Sequence, residues 1–426
     1  MLRIIHGLDA FTSWCNQQYS QGNSQETKTF DAVDAIRRAV LADGDTALCA
    51  YTNQFDGADV VPNDLRVPDH VLDEACDRVS PDFLGALKRA SANIEEFHMN
   101  QRPSDWERSN DHRRYGVQHT PLDAVGLYVP GGRAAYPSSV LMAAIPAKIA
   151  GCPRVVMVSP PSNGGIPDSV LAAAKVSGVH EVYQVGGAQA VFALSYGTRA
   201  IQPVDKIVGP GNKFVTLAKQ MVYGTVDIDK PAGPSEVCVV MDDAQYATFA
   251  ASELLAQLEH DPDASAIALV VSEDAAQAVT NAFNHQLPSL SRANIIEASK
   301  KNAVVAIIRP DDVVPAINTC ASEHLVLISK AADQIRTQVR HAGSIFCGPY
   351  TPVALGDYYA GPNHVLPTGR SARFASPLGV MDYMKFSSHL TYTRSGLQAI
   401  ASDLDHLTHA EGFDAHFQSV QVRLND

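Results

Sequence analysis

No apolar run in the 426-residue chain approaches the roughly 18 consecutive residues of a membrane-spanning helix, so none is expected. The start, MLRIIHGLDAFTSWCNQQ, lacks a basic segment followed by an apolar run and a small-residue cleavage site, which points to the cytoplasm. No lysine or arginine block stands out. With a formal net charge of −13 and a pI near 5.5, neither a nucleic-acid partner nor an anionic membrane surface has support, and small-molecule chemistry is the better expectation. The seven cysteines, Cys15, Cys49, Cys76, Cys152, Cys238, Cys320 and Cys347, are odd in number and include no CxxC pair, which excludes a disulfide framework and a metal knuckle. They read as reduced thiols, mostly buried, with Cys152, Cys238 and Cys347 in or beside strand-like runs. A G-x-G-x-x-G segment is also missing, so the usual dinucleotide fingerprint is absent.

What is present is an ordinary globular composition, 46% hydrophobic and 19% charged, in a chain long enough for two or more domains. TFDAVDAIRRAVLADGD and LDEACDRVSPDFLGALKRASANIEEFH repeat apolar residues every three or four positions, which predicts helices with Asp31 and Ser80 as caps. QRPSDWERSNDHRRYGVQHT, 101–120, is polar and aperiodic and reads as a crossing. Beyond it, β-branched runs such as AVGLYV, RVVMVSPP and EVYQVGG alternate with helical stretches, and the pattern resumes after DIDKPAGPSE with SEVCVVMDD, AIALVVS, AVVAIIRP, LVLIS and GSIFCG. That alternation predicts an α/β fold of two lobes with parallel sheets and a ligand cleft between them. The expected division is 1–105 helical, 106–234 the first lobe, 235–378 the second, and 379–426 a helical tail suited to wrapping a partner chain.

Glycine turns follow strand-like runs at Gly131-Gly132, Gly186-Gly187 and 209–212 (GPGN), where backbone N–H groups can approach a phosphate or carboxylate. Gln257 and His260, in AQLEHD, sit three apart at a helix end and project from one face, a spacing that suits one metal, although an unremarkable helix end also carries such residues. Glu323 and His324 are adjacent just before an apolar strand. Neighbours on a strand point to opposite sides, but at its end both can reach a cleft, and two groups of unlike pKa suit two proton transfers. GDYYAGPNHVLPT places Asp357 and His364 seven residues apart on what glycine and proline mark as non-helical backbone. Glu411 and His416 lie in the tail.

Taken in order, GLYVPGGRAAYPSSVLMAAIPAKIAG, VGGAQA, DKIVGPGN, DIDKPAGPSEV, AQLEHD, EHL and GDYYAGPNHVLPT resemble the histidinol dehydrogenase family from about residue 25 to the end. The resemblance implies two incomplete Rossmann-like lobes and oxidation of L-histidinol through L-histidinal to L-histidine with two NAD+. It implies one zinc on Gln257, His260, Asp357 and His416, a set of donors that suits Zn²⁺. His324 would take the hydroxyl proton and Glu323 would activate water. Ser235, His364 and Glu411 would complete the substrate pocket, while Tyr128, Gln189 and Asn212 would contact NAD. The tail would cross to a second subunit, making an obligatory homodimer in which Glu411 and His416 serve the neighbour's site. Rival readings are a related dehydrogenase acting on another polyol and a two-lobed binding protein without chemistry; PAGPSE and the complete Gln, His, Asp, His set favour the first-named family.

Overall fold

A computed structural model describes residues 2–20, 26–131, 135–162 and 165–425, so Gly132 of the first glycine turn lies outside the described residues. Two parallel sheets carry the structure. The first has five strands in the order Glu181–Tyr183, Arg154–Val158, Ala124–Tyr128, Lys206–Val208 and Asp227–Ile228. The second has six, in the order Arg3–His6, Ala303–Ile307, Ser265–Val270, Glu236–Met241, His324–Ile328 and Ser344–Cys347. Both are parallel throughout. Five strands of each follow one doubly wound order, in which the chain lays down strands outward in one direction and then reverses past the first. The reversal opens a crevice beside the first strand of each sheet.

The near-continuous apolar strands follow from burial on both faces. In EVCVVM, Val237, Val239 and Met241 join one core while Cys238 and Val240 join the core behind the sheet. Val125 and Leu127 face helices 137–150 and 168–177, and Tyr128 faces the opposite core with Phe192 and Val215. All seven cysteines are free, five buried and Cys76 and Cys347 half-buried, as the sequence suggested. No helix of the described residues is long and apolar enough to cross a membrane.

Several elements depart from the sequence reading. The chain opens with the strand Arg3–His6, paired to Ala303–Ile307 of the second sheet, and the following helix, Leu8–Ser20, buries Phe11 and Trp14 there. The polar stretch read as a crossing forms the strands Trp106–Ser109 and Arg113–Pro121, which pair antiparallel with Met384–Tyr392 at the start of the tail. Trp106–Ser109 is exposed throughout, so hydrophobic alternation has nothing to report. Asp31 is no cap, because the helix begins at Glu26 and runs through it to Asp43. Ser80 caps as expected, accepting from Phe83 N at 3.2 Å.

Asp56, the last residue of helix Asp45–Asp56, is held uncomfortably: its Oδ2 is buried without a hydrogen-bond partner, and burial pushes its carboxyl up to about 6. A raised carboxyl favours the folded state below the unfolded value and loses that contribution as pH rises through the folded one. Asp56→Asn, which keeps the neutral shape, is therefore expected to raise the melting temperature most at pH 8 and by about half as much at pH 5, which lies between the unfolded and folded values. Thermal unfolding at the two pH values checks this, and equal shifts at both would contradict it.

Candidate active site

The second sheet shows its reactive groups at an unusual edge. In doubly wound sheets ligands gather at the carboxyl ends of strands, yet Glu323 and His324 stand at the amino end of His324–Ile328, beside Glu236 at the amino end of its neighbour. The turn into this edge is sharp. Helix Val313–Cys320 ends on Ala321 with φ 46° and ψ 49°, a left-handed conformation costly for a residue with a Cβ. It delivers Ser322 and Glu323 to the sheet edge, where Ser322 Oγ donates to His324 O at 2.9 Å.

Both members of the Glu-His pair are buried, and both reach the same place. Glu323 Oε2 accepts from Glu236 N at 2.9 Å and lies 3.6 Å from His324 Nδ1. His324 Nδ1 is 3.1 Å from Glu236 O; a carbonyl can only accept, so Nδ1 carries the hydrogen. His324 Nε2, free of any well-formed hydrogen bond, is thereby the proton-accepting nitrogen of the neutral ring, and it faces Asp357 Oδ1 at 3.4 Å. Burial pushes the Glu323 carboxyl up to about 7, against the pull of His324 and the Glu236 N–H. Burial pushes the His324 imidazole down, but Glu323, Asp357 and the Glu236 carbonyl outweigh it and lift the ring to about 9.

Asp357 sits in the short helix Val353–Tyr358, whereas glycine and proline in the sequence suggested non-helical backbone. The six residues begin after Pro352, and Val353 N is capped from another element by Glu253 Oε2 at 3.1 Å. Gly356 packs instead of breaking: a Cβ there would come within 2.7 Å of the Phe346 ring. Burial alone would raise the Asp357 carboxyl, but His324, His364 and His260 together hold it below its ordinary value. His364 does lie on irregular backbone; its Nδ1 donates to Asp357 O at 2.8 Å and its Nε2 is 3.3 Å from Ser139 Oγ of helix Pro137–Ala150 in the first lobe. Burial lowers this imidazole, so it stands neutral and can accept from Ser139.

Gln257 closes the last turn of helix Ala247–Leu258, buried, with Nε2 lacking any partner. His260 follows just past the helix end, its N donating to Gln257 O at 3.3 Å. Its ring is exposed, yet the protein around it desolvates the imidazole enough to lower it, with Asp357 pulling upward. Ser235 immediately precedes Glu236 and its carbonyl accepts from Ser265 N. Thus His260, Glu323, His324, Asp357 and His364 feel one another's charge. Glu411 and His416 do not join them: they end helix Arg394–Glu411 and open helix Asp414–Asn425, both exposed. Among the described residues of one chain no three His, Cys, Asp or Glu side chains converge to hold a metal.

In the first lobe, Tyr128 ends the strand beside the reversal point. Its OH accepts from Gly187 N at 3.0 Å, and burial pushes it up to about 12. Gln189, two residues into the next helix, is fully buried with neither amide atom partnered. Asn212 caps helix Lys213–Val222, its Oδ1 accepting from Phe214 N and Val215 N, which leaves its NH₂ to meet a ligand. The neighbouring backbone is tightly approached: a Cβ on Gly131 or Gly186 would fall within 2.7 or 2.5 Å of Pro160. Sequence reasoning missed Glu236, Glu253 and Ser139. Only Glu236 left a signal, as a charged residue opening an apolar strand.

The histidinol dehydrogenase family model matches residues 19–424. The histidinol dehydrogenase of Rhizobium meliloti is 48% identical over 403 residues, 92% of each chain, and that of Thermosynechococcus vestitus 46% identical over 429 residues, 100% of each. The crystal structure of histidinol dehydrogenase from Elizabethkingia anophelis superposes with a TM-score of 0.93 at 31% identity, covering 100% of this chain and 98% of that one.

Proposed function

The chain belongs to the histidinol dehydrogenase family, and from that premise we propose how its residues share the NAD-dependent oxidation of L-histidinol through L-histidinal to L-histidine. The observation that carries the reading is the placement of His324: the Glu236 carbonyl holds a hydrogen on Nδ1, so Nε2, which faces Asp357, is the nitrogen that gains and loses the proton. His324 Nε2 takes the hydroxyl proton of the alcohol and later that of the aldehyde hydrate. Glu323, whose carboxyl is poised near 7, takes a proton from the water that adds to the aldehyde. When bound, NAD+ would supply the hydride acceptor for each of the two oxidations. Its seat would be Tyr128, Gln189 and Asn212, and the buried, unpartnered amide of Gln189 together with the close-packed glycine turns fits such a ligand.

Gln257, His260 and Asp357 would hold a zinc ion with His416 of the partner subunit. Gln257, buried at its helix end with Nε2 unpartnered, would offer its amide oxygen, and the low-lying Asp357 and His260 suit the same donor set. Zinc would act as a template that fixes the substrate's nitrogens. Ser235 and His364, with Glu411 of the partner subunit, would line the rest of the pocket. Such a site needs a homodimer, and a biosynthetic NAD+-consuming reaction of this kind fits the cytoplasm.

Two equivalents of NADH per L-histidinol, lost on chelation and restored by zinc, are expected; one equivalent with aldehyde released would overturn the four-electron reading. Both bases work unprotonated, so turnover is expected to climb as pH passes about 7 and on toward 9. Glu323→Gln is expected to leave the first oxidation and stall at the aldehyde, lowering the second step by about 100-fold or more. Single-turnover NADH yield against pH reads both effects, and an unchanged second step would remove Glu323 from its role.

A further inference from the structure

The turn after strand Lys206–Val208 is gripped by charge. Gly209 has φ +108°, and a Cβ there would lie 2.2 Å from the Tyr128 carbonyl oxygen, so no other residue fits without displacing it. The backbone groups of Gly209 go to a buried ion pair. Gly209 N donates to Asp229 Oδ2 at 2.8 Å, Lys219 Nζ donates to Gly209 O at 2.9 Å, and Lys219 Nζ also meets Asp229 Oδ1. Both side chains are 2% exposed.

The pair joins three elements. Lys219 comes from helix Lys213–Val222, which Asn212 opens. Asp229 follows the last strand of the first sheet, Asp227–Ile228, and begins the crossing to the second lobe. On that crossing Lys230 Nζ donates to Val365 O at 3.3 Å, Ala232 O accepts from Thr216 Oγ1 at 3.3 Å, and Gly233 N donates to Thr368 Oγ1 at 2.7 Å. Ser235 and Glu236 come next. A buried ion pair is seldom the most stable filling of such a space, because apolar side chains of similar volume are often as stable. What it adds is direction: a fixed cation and a fixed anion hold the C=O and the N–H of one residue, Gly209.

We propose that Lys219 and Asp229 are positioning residues that fix the 209–212 turn against the interlobe crossing, and so set the separation between the dinucleotide and the substrate alcohol. The proposal rests on Tyr128, Gln189 and Asn212 being the NAD contacts. Neither residue touches a reactant; both act through the Gly209 backbone and the crossing. Misplacement of reacting atoms by about 1 Å costs on the order of 100-fold in rate.

The test uses the full-length zinc-loaded enzyme with L-histidinol and NAD+. Removing one partner alone strands a buried charge, so the deciding variant is Lys219→Met with Asp229→Leu, which fills the space without charge. It is expected to unfold cooperatively like the wild type, to raise KM for NAD+ about tenfold, and to leave KM for histidinol within about twofold. The isotope effect from carbinol-deuterated histidinol is expected to grow as hydride transfer becomes limiting. A folded double variant with unchanged KM for NAD+ and isotope effect would show the pair to be a core filler and overturn the proposal. Should the double variant not fold, Lys219→Arg keeps the charges while displacing the donor from Gly209 O, and unchanged kinetics there would overturn it equally. Asn212→Ala separates the two readings. An unchanged KM for NAD+ in that variant removes the seat on which the proposal rests; a raised one beside a wild-type-like pair variant removes the pair alone.

Discussion

His324→Asn is expected to lower kcat about a thousandfold, within the range that loss of a positioned general base produces. Asparagine can still donate to the Glu236 carbonyl, which His324 Nδ1 engages at 3.1 Å, so the sheet edge and the Glu323 contact to Glu236 N survive. What disappears is the basic nitrogen that faces Asp357. The loss should therefore appear in kcat, with KM for histidinol and for NAD+ close to the wild type. Both oxidations should suffer, because the alcohol and the aldehyde hydrate each surrender a hydroxyl proton. Steady-state rates with histidinol and, separately, with histidinal check this; NADH formation within about tenfold of wild type would remove His324 as the base.

Asp357→Ala is expected to abolish zinc retention and turnover together while the fold persists. Its carboxylate lies among His260, His324 and His364, and it faces His324 Nε2, the ring nitrogen turned away from Glu323. The fold should persist because the helix carrying Asp357 is held from elsewhere, by Glu253 on Val353 N and by Phe346 against Gly356. His364 binds the Asp357 backbone carbonyl, which alanine retains. Metal content after dialysis, read beside far-UV circular dichroism, checks the two halves separately. Stoichiometric zinc with full activity would contradict the assignment, and loss of fold would contradict the claim that Asp357 serves the site alone.

The two parallel sheets were legible because their strands are buried on both faces, which leaves runs such as EVCVVM and AIALVV that little else in a soluble protein explains. The antiparallel sheet was not, since Trp106–Ser109 and most of Met384–Tyr392 lie at the surface, where a strand's inner face leaves no apolar trace. Arg3–His6 is four residues long, too short for a period to show, and is a strand because Ala303–Ile307 offers it an edge. The site divides the same way. Side chains with unmistakable chemistry, Glu323, His324, Asp357 and His260, could be named from sequence, and the chain brings them within reach of one another. The groups that aim them could not: Glu236 acts largely through its backbone N–H and C=O, and Glu253 caps a helix a hundred residues away. Gly356 misled because glycine is read as a breaker, whereas here it makes room for the Phe346 ring.

The tail leaves the most consequential question. Helix Asp414–Asn425 buries none of its residues and packs on its neighbour Arg394–Glu411, leaving Leu407, Phe413 and Val422 exposed, and among the described residues of one chain no three His, Cys, Asp or Glu side chains converge to hold a metal. Both facts follow if each tail completes the other subunit's site. Co-expression of a His324→Asn chain with a His416→Ala chain tests this directly. In the mixed dimer one site collects both substitutions and the other collects none, so random pairing should restore about a quarter of wild-type activity from two inactive parents. If the tail served its own chain, every site would carry one substitution, and the mixture would stay as inactive as either parent.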